Sequence, residues 1–343
     1  MTMPQPLQRH ISLVEDSLRD LFAGHSSPLY RLMEYQLGWR DERGDPLEAP
    51  VPQPRLHAGI CLLAAQSTGG DIEKAVPAAA AVELVYQFTQ VHADIQDGSQ
   101  QRHNRPTVWW IWGPAQAINA GDGLHALARL SLLRLHEHGG PPADSLHLMQ
   151  ALDTACLRMC EGLHVELLFQ ERVDIAPEAY LKMARDKVGA LLGCALELGA
   201  AAGAPSRNAG ASLREFGETL GVACQIQEDI QMLWGQPLSG KATGLDALNK
   251  KKGFPVLYSL DHAPIAQKRE LGTLFFKRVL EPADLQQVTA ILDKLNARPH
   301  AQAAARHYLE EATRYLDGAA LAPEGRRELS QVATWLALRE GNP

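Results

Sequence analysis

Apolar residues recur three to four positions apart through most of the chain, in segments such as AVPAAAAVELVYQFTQVHADI, GLHALARLSLLRLHEH, LMQALDTACLRMCEGLHVELLFQE, YLKMARDKVGALLGCALELGAAAGA and LREFGETLGVACQIQEDIQMLW. That period places apolar groups on one side of a helix, so the pattern predicts long helices. Short breaks using Gly, Pro, Asn and Asp separate them: GWRDERGDPLEAPVPQP, HGGPPADS, APSRNAG and GQPLSGKATGLD. Nothing alternates apolar and polar positions as a strand does, and there is no internal repeat or low-complexity tract. The two Pro-rich connections, 44–54 and 139–142, are short for domain linkers. The expectation is an all-α fold, one helical domain over residues 1–343 built around a cavity. The helix from about residue 115 to 137 is apolar over more than one face. A helix that serves both a core and a partner surface has that character, which points to a homodimer.

Composition narrows the partners. The formal charge of −7 and a pI near 6.0, with no long Lys/Arg run, argue against a nucleic-acid or anionic-membrane surface. An anionic ligand must then be caught by local cations. The start, MTMPQPLQRHISLVEDSLRD, is too polar for a signal peptide, and no apolar run reaches the length of a membrane span. The five cysteines, Cys61, Cys156, Cys160, Cys194 and Cys224, form no CxxC and sit mostly in apolar helical context, as buried thiols in a reducing cytoplasm would. The thirteen histidines include no HExxH or finger spacing, and no GxSxG, P-loop or GxGxxG occurs. These absences remove the usual zinc, serine-hydrolase, NTPase and dinucleotide readings. Trp109, Trp110 and Trp112 read as core or subunit interface.

Two acidic pairs close apolar helices. Asp94 and Asp97, in QFTQVHADIQDGSQQRHNRPTVWW, stand three apart and share a helix face; Glu228 and Asp229 stand near the end of another helix, in QIQEDIQMLW. Either pair alone reads more simply as a solvated helix end. The lysines change the balance: Lys187 lies inside an apolar helix, Lys241 in the loop SGKATGLD, and Lys250, Lys251 and Lys252 just before Gly253. Mg²⁺ keeps few protein carboxylates and completes its shell with water and substrate phosphates. Acids with nearby lysines therefore suit a diphosphate clamped through metal.

With these residues assembled, the chain resembles the polyprenyl synthetase family, the trans-isoprenyl diphosphate synthases, over nearly its whole length. That family carries a DDxxD motif followed by RRGxPT, and later FQxxDDxxD followed by GKxxGxDxxxxK. Here the first reads Ala93-Asp94-Ile95-Gln96-Asp97, then Arg102-His103-Asn104-Arg105-Pro106-Thr107. The second reads Gln225-Ile226-Gln227-Glu228-Asp229-Ile230-Gln231-Met232, then Gly240-Lys241, Gly244, Asp246 and Lys251. The resemblance implies an isoprenoid synthase type I fold, a homodimer, and Mg²⁺ gripping the diphosphate of an allylic prenyl substrate. It assigns Asp94, Asp97, Glu228, Asp229 and Asp246 to metal, with Ala93 where the first ligand stands in the family and Met232 at the last acid. It assigns Lys187, Gln225 and Lys241 to stabilising the departing diphosphate, and Arg102 and Lys251 to binding it; Val188 replaces a threonine.

For isopentenyl diphosphate the family uses a GKRxRP-like segment, matched by Gln53-Pro54-Arg55-Leu56-His57-Ala58, in which only Arg55 is kept and His57 falls beside it. His103 replaces the second arginine after the first motif, and an imidazole is a poorer diphosphate partner than a guanidinium. One turn before Ala93, Phe88 and Thr89 are expected to face the hydrocarbon tail. The resemblance implies that Phe88 is a floor suited to a short allylic chain, the alternative being a ring packed as ordinary core against a neighbouring helix. Three functions remain open on the sequence: chain elongation with isopentenyl diphosphate or a close variant, a terpene cyclase-like ionisation without it, and a catalytically silent binding subunit. The first is preferred, because the acids and lysines form a nearly complete set.

Overall fold

The computed structural model describes residues 3–136, 142–203 and 207–339. Residues 139–141 of the expected connection at 139–142, and 204–206 of APSRNAG, lie outside them. The fold is all-α. The first helices are α1 (Gln5–Gln8), α2 (Ile11–Phe22), α3 (Pro28–Gln36), α4 (Leu56–Ser67) and α5 (Ile72–Asp97). A two-stranded hairpin, β1 (Gln101–Arg102) and β2 (Arg105–Pro106), leads to α6 (Val108–Trp112), α7 (Pro114–Leu133) and α8 (Pro142–Phe169). Next come α9 (Pro177–Ala184), a π-helical turn at Arg185–Gly189, α10 (Ala190–Gly203) and α11 (Arg207–Trp234). The chain closes with α12 (Leu245–Leu248), α13 (Phe254–His262), α14 (Ile265–Phe276), α15 (Pro282–Lys294), α16 (Ala297–Tyr315) and α17 (Pro323–Leu338).

The centre is made by α4, α5 and α10, with α7 and α11 packed outside them and α16 against α11. Every residue of α5 from Ala75 to Val85 is buried, which explains why its apolar pattern fills all sides rather than one. Small residues bring α10 and α11 close: a methyl on Gly217 would sit 2.6 Å from the Gly193 backbone. Asp71 caps the start of α5 by accepting from Glu73 N at 3.0 Å, and Gly98, at φ 63°, ends it in the left-handed conformation glycine allows. The helix therefore stops directly after Asp97, and that carboxylate stands at its mouth.

Among the described residues, the hairpin and an isolated antiparallel bridge between Arg40 and Pro46 depart from the helical expectation. His103 and Asn104 take φ of 50° and 59°, the two-residue turn that matches strand twist. Its His103 N donates to Gly240 O at 2.9 Å, docking the segment after the first acidic motif onto the loop that carries Lys241.

Candidate active site

A cavity of about 190 Å³ opens between α5, α8, α10 and α11. Thr89, Met159, Leu163, Val188, Leu191 and Leu192 line its apolar part, and Asp97, Glu166, Lys187, Lys241, Asp246 and Lys251 its polar end. Those six charged groups form one chain of ion pairs. Lys187 Nζ reaches Glu166 Oε1 at 2.5 Å, and Lys251 Nζ lies 3.1 Å from Glu166 Oε2 and 2.7 Å from Asp97 Oδ1. Lys241 Nζ is 2.5 Å from Asp97 Oδ2 and 3.4 Å from Asp246 Oδ1. Burial pushes the Asp97 carboxyl up, but Lys241 and Lys251 outweigh it and hold the group below its usual range. At Glu166 the same contest, won by Lys187, Lys251 and Lys241, leaves a carboxylate held far below its usual range. Burial lowers the Lys251 ammonium, and Glu166, Asp246 and Asp97 overcome it to raise the group well above its ordinary value.

Local structure explains these positions. The π-helical turn carries Lys187, one extra residue in the turn re-aiming the chain between α9 and α10. Lys250, at φ 60°, turns the backbone so that the three consecutive lysines diverge. Lys251 enters the cavity, while Lys252 Nζ donates to Phe169 O at 3.0 Å and Gln170 O at 2.7 Å, a cation on the carbonyl end of α8. Asn249 Nδ2 donates to Asp97 O at 2.8 Å, fastening that loop to the end of α5.

The other expected site residues divide. Gln225 lines the cavity and donates to Asp229 Oδ1 at 2.7 Å. Glu228 lines it too, but its oxygens accept from Leu238 N and Ser239 N, each at 3.0 Å, and from Arg339 Nη2 at 2.7 Å. Arg102 and His57 are on the wall. Burial pulls the His57 imidazole down to about 3, so it is neutral and contributes no cation.

Asp94 is not brought to this cavity. One of its oxygens takes both Nε and Nη2 of Arg102, at 2.9 and 2.6 Å, which also commits that guanidinium. Arg102 further donates to Ser239 O. Asp229 also turns away: Oδ2 accepts from Tyr180 OH at 2.5 Å and from Phe254 N at 2.7 Å at the start of α13, and burial raises its carboxyl to about 6.

Phe88 is outside the lining. Its ring packs on His92 and His125, so of the expected pair on α5 only Thr89 faces the cavity. Arg55 and His103 line a smaller neighbouring cavity of about 60 Å³ with Asp94, Arg102 and Arg105. There Arg55 is fully buried, donating to Glu15 Oε1 at 2.6 Å and Leu37 O at 2.7 Å with Glu83 at 3.7 Å. Desolvation and the Arg102 charge lower the His103 imidazole.

Sequence reasoning missed Glu166 and Arg339. The first carries a signal, a lone carboxylate between Val165 and Leu167 in an apolar run, which burial would force to find a cation. The second, beyond the end of α17, carries none. Asp97, Asp246 and Glu228 all line the cavity and offer carboxylate oxygens, the ligand type that Mg²⁺ takes. The ion-pair chain is balanced between three lysines and three carboxylates, so a metal–diphosphate unit can enter by exchanging partners without stranding a charge.

The Polyprenyl synthetase family model matches residues 54–292. A (2E,6E)-farnesyl diphosphate synthase of Mycobacterium bovis is 30% identical over 336 residues, covering 96% of this chain and 91% of that protein. A geranylgeranyl diphosphate synthase of Mycobacterium tuberculosis is 33% identical over 299 residues, 87% of this chain and 84% of its own length. The crystal structure of polyprenyl synthetase from Streptomyces coelicolor superposes with a TM-score of 0.86 at 29% identity, covering 97% of this chain and 99% of that one. With Asp97 and Glu228 from the two acidic motifs and the lysines between and after them lining one cavity, the chain belongs to the polyprenyl synthetase family.

Proposed function

We propose that the chain is a Mg²⁺-dependent prenyltransferase of isoprenoid biosynthesis that ionises an allylic prenyl diphosphate and extends it with isopentenyl diphosphate or a close variant. The observation that carries this reading is the partly buried chain of alternating lysines and carboxylates at the head of an apolar cavity. The names of its relatives support it. Asp97, Asp246 and Glu228 would hold the metal, and when bound it supplies positive charge to the diphosphate oxygens. Lys187, Lys241 and Lys251 turn from their carboxylates to the diphosphate. As the C–O bond breaks, negative charge grows on the leaving group, and ammonium groups already in place in a poorly hydrated site stabilise it without reorganisation. The apolar wall of Met159, Leu163, Leu191 and Leu192 shields the allylic cation from water. Asp94 and Asp229 act by positioning: one fixes Arg102 and the hairpin, the other Gln225 and the start of α13.

The commitment of Arg55 to Glu15 and Glu83 favours a second reading, ionisation without isopentenyl diphosphate. Incubation of the protein and Mg²⁺ with farnesyl diphosphate, with and without isopentenyl diphosphate, separates the cases. A lengthened prenyl diphosphate supports elongation, diphosphate release with cyclic or hydrolysed products supports the second reading, and no release under either condition overturns both.

We propose that the protein is a homodimer joined through α6, α7 and α8. That face exposes Trp110, Ile118, Leu130, Leu133, Leu146 and Leu157, each at least 46% accessible, a density of apolar groups that suits a partner surface. A single domain over residues 1–343 fits the superposition of the Streptomyces coelicolor structure on 97% of the chain. Among the described residues no helix is long and apolar enough to cross a membrane. Residence in the cytoplasm fits five unpaired cysteines.

A further inference from the structure

Behind Phe88, away from the ion-pair chain, α7 and α8 bring His125, Asp153 and Cys156 together, with one ligand atom of each within 4.8 Å of the others. Asp153 and Cys156 stand three apart on α8 and share a face, and His125 comes from α7. Nε2 of His125 is buried with no hydrogen-bond partner, and the ring is held in place by stacking on Phe88 at 4.9 Å. Cys156 is buried and unpaired. Arg129 takes the place of a metal cation here, its Nε 2.9 and 3.1 Å from the two oxygens of Asp153 and its Nη1 3.5 Å from Nδ1 of His125.

Imidazole, thiolate and one carboxylate are the ligand types of a zinc-class ion, unlike the carboxylates of Asp97, Asp246 and Glu228. We propose that His125, Asp153 and Cys156 form a second metal site, selective for a divalent transition ion of the zinc type and separate from the diphosphate cavity. Water completes a four-coordinate shell. Coordination breaks the Sγ–H bond of Cys156 and releases that proton to solvent, while Arg129, whose side chain is 38% accessible, leaves Asp153 for water. A dication with a neutral imidazole, one thiolate and one carboxylate is then electrically balanced, so the departing guanidinium strands no charge. The bound ion would pin α7 to α8 directly beneath Phe88.

The test is titration of Co²⁺ into the reduced, chelator-treated full-length protein with Mg²⁺ in excess, reading the near-ultraviolet thiolate-to-cobalt band. The wild type is expected to saturate at one Co²⁺ per chain and to lose the band when Zn²⁺ is added. Cys156→Ser should lack the band, His125→Ala should bind at least about ten-fold more weakly, and Arg129→Ala several-fold more tightly. Mg²⁺-dependent diphosphate release should be unchanged in Cys156→Ser. No thiolate band in the wild type, or an undiminished band in folded Cys156→Ser, would overturn the proposal. If Cys156→Ser does not fold, unaltered Co²⁺ affinity in His125→Ala overturns it instead.

Discussion

Ala93 places a methyl group on the cavity wall one helical turn before the Asp97 carboxylate. An acid there adds a second carboxylate facing the cavity at the end of α5, and Ala93→Asp should raise Mg²⁺-dependent diphosphate release. A folded variant with lower activity would mean that the metal sits in a geometry that excludes this position. His57 is a different case, because its ring is buried against Tyr86 at 4.2 Å and its Nδ1 has no partner. Its folded value of about 3 lies below the ordinary 6.5, so as pH falls the unfolded chain takes the proton first. The stability tied to this group is therefore present above pH 6.5 and lost progressively towards pH 3. Between pH 7 and 5 the loss is about 2 kcal/mol. Urea unfolding of the wild type and His57→Gln at both pH values should show a drop smaller by that amount in the variant; equal drops would mean that the imidazole is protonated in the fold.

Helix periodicity carried most of the architecture, because α5, α8, α10 and α11 are long enough for the 3.6-residue pattern to dominate their composition. The acids at the end of α5 and the Lys241 loop were legible for the same reason, being polar interruptions of apolar runs. What could not be read was direction. Lys251 and Lys252 are identical neighbours, yet a left-handed Lys250 sends one into the cavity and the other onto the end of α8. Nor does spacing say which partners a carboxylate finds: Asp97 takes two lysines, whereas Glu228 takes two backbone amides and Arg339. The α5 tail wall illustrates the limit: Phe88 and Thr89 are adjacent, and the helix turns the bulky one outward to α7. Phe88→Ala should accordingly cost about 2 kcal/mol, less than a fully buried ring, and leave chain-length preference unchanged. Thr89→Phe should instead block the tail path and restrict the enzyme to shorter substrates. A change in product length on Phe88→Ala, read by chromatography of the prenyl products, would return that ring to the cavity.

The exposed apolar face of α6, α7 and α8 and the charged head of the cavity make separate demands on the assembled protein. Light scattering at micromolar concentration should report a dimer, and Leu130→Glu with Leu157→Glu should give a folded monomer; a monomeric wild type would leave that face without its proposed partner. The site makes a sharper demand. Three lysines and three carboxylates satisfy one another as the protein stands, so a diphosphate arriving alone must break those pairs while adding only negative charge. Arriving with Mg²⁺, it supplies new partners for both signs at once. Calorimetry of a non-ionisable farnesyl thiolodiphosphate therefore tests the account most directly. Binding should be weak with chelator, strengthen by at least about ten-fold with Mg²⁺, and lose most of that gain in Lys251→Ala. Binding that is equally tight with and without Mg²⁺, and indifferent to Lys251→Ala, would contradict it.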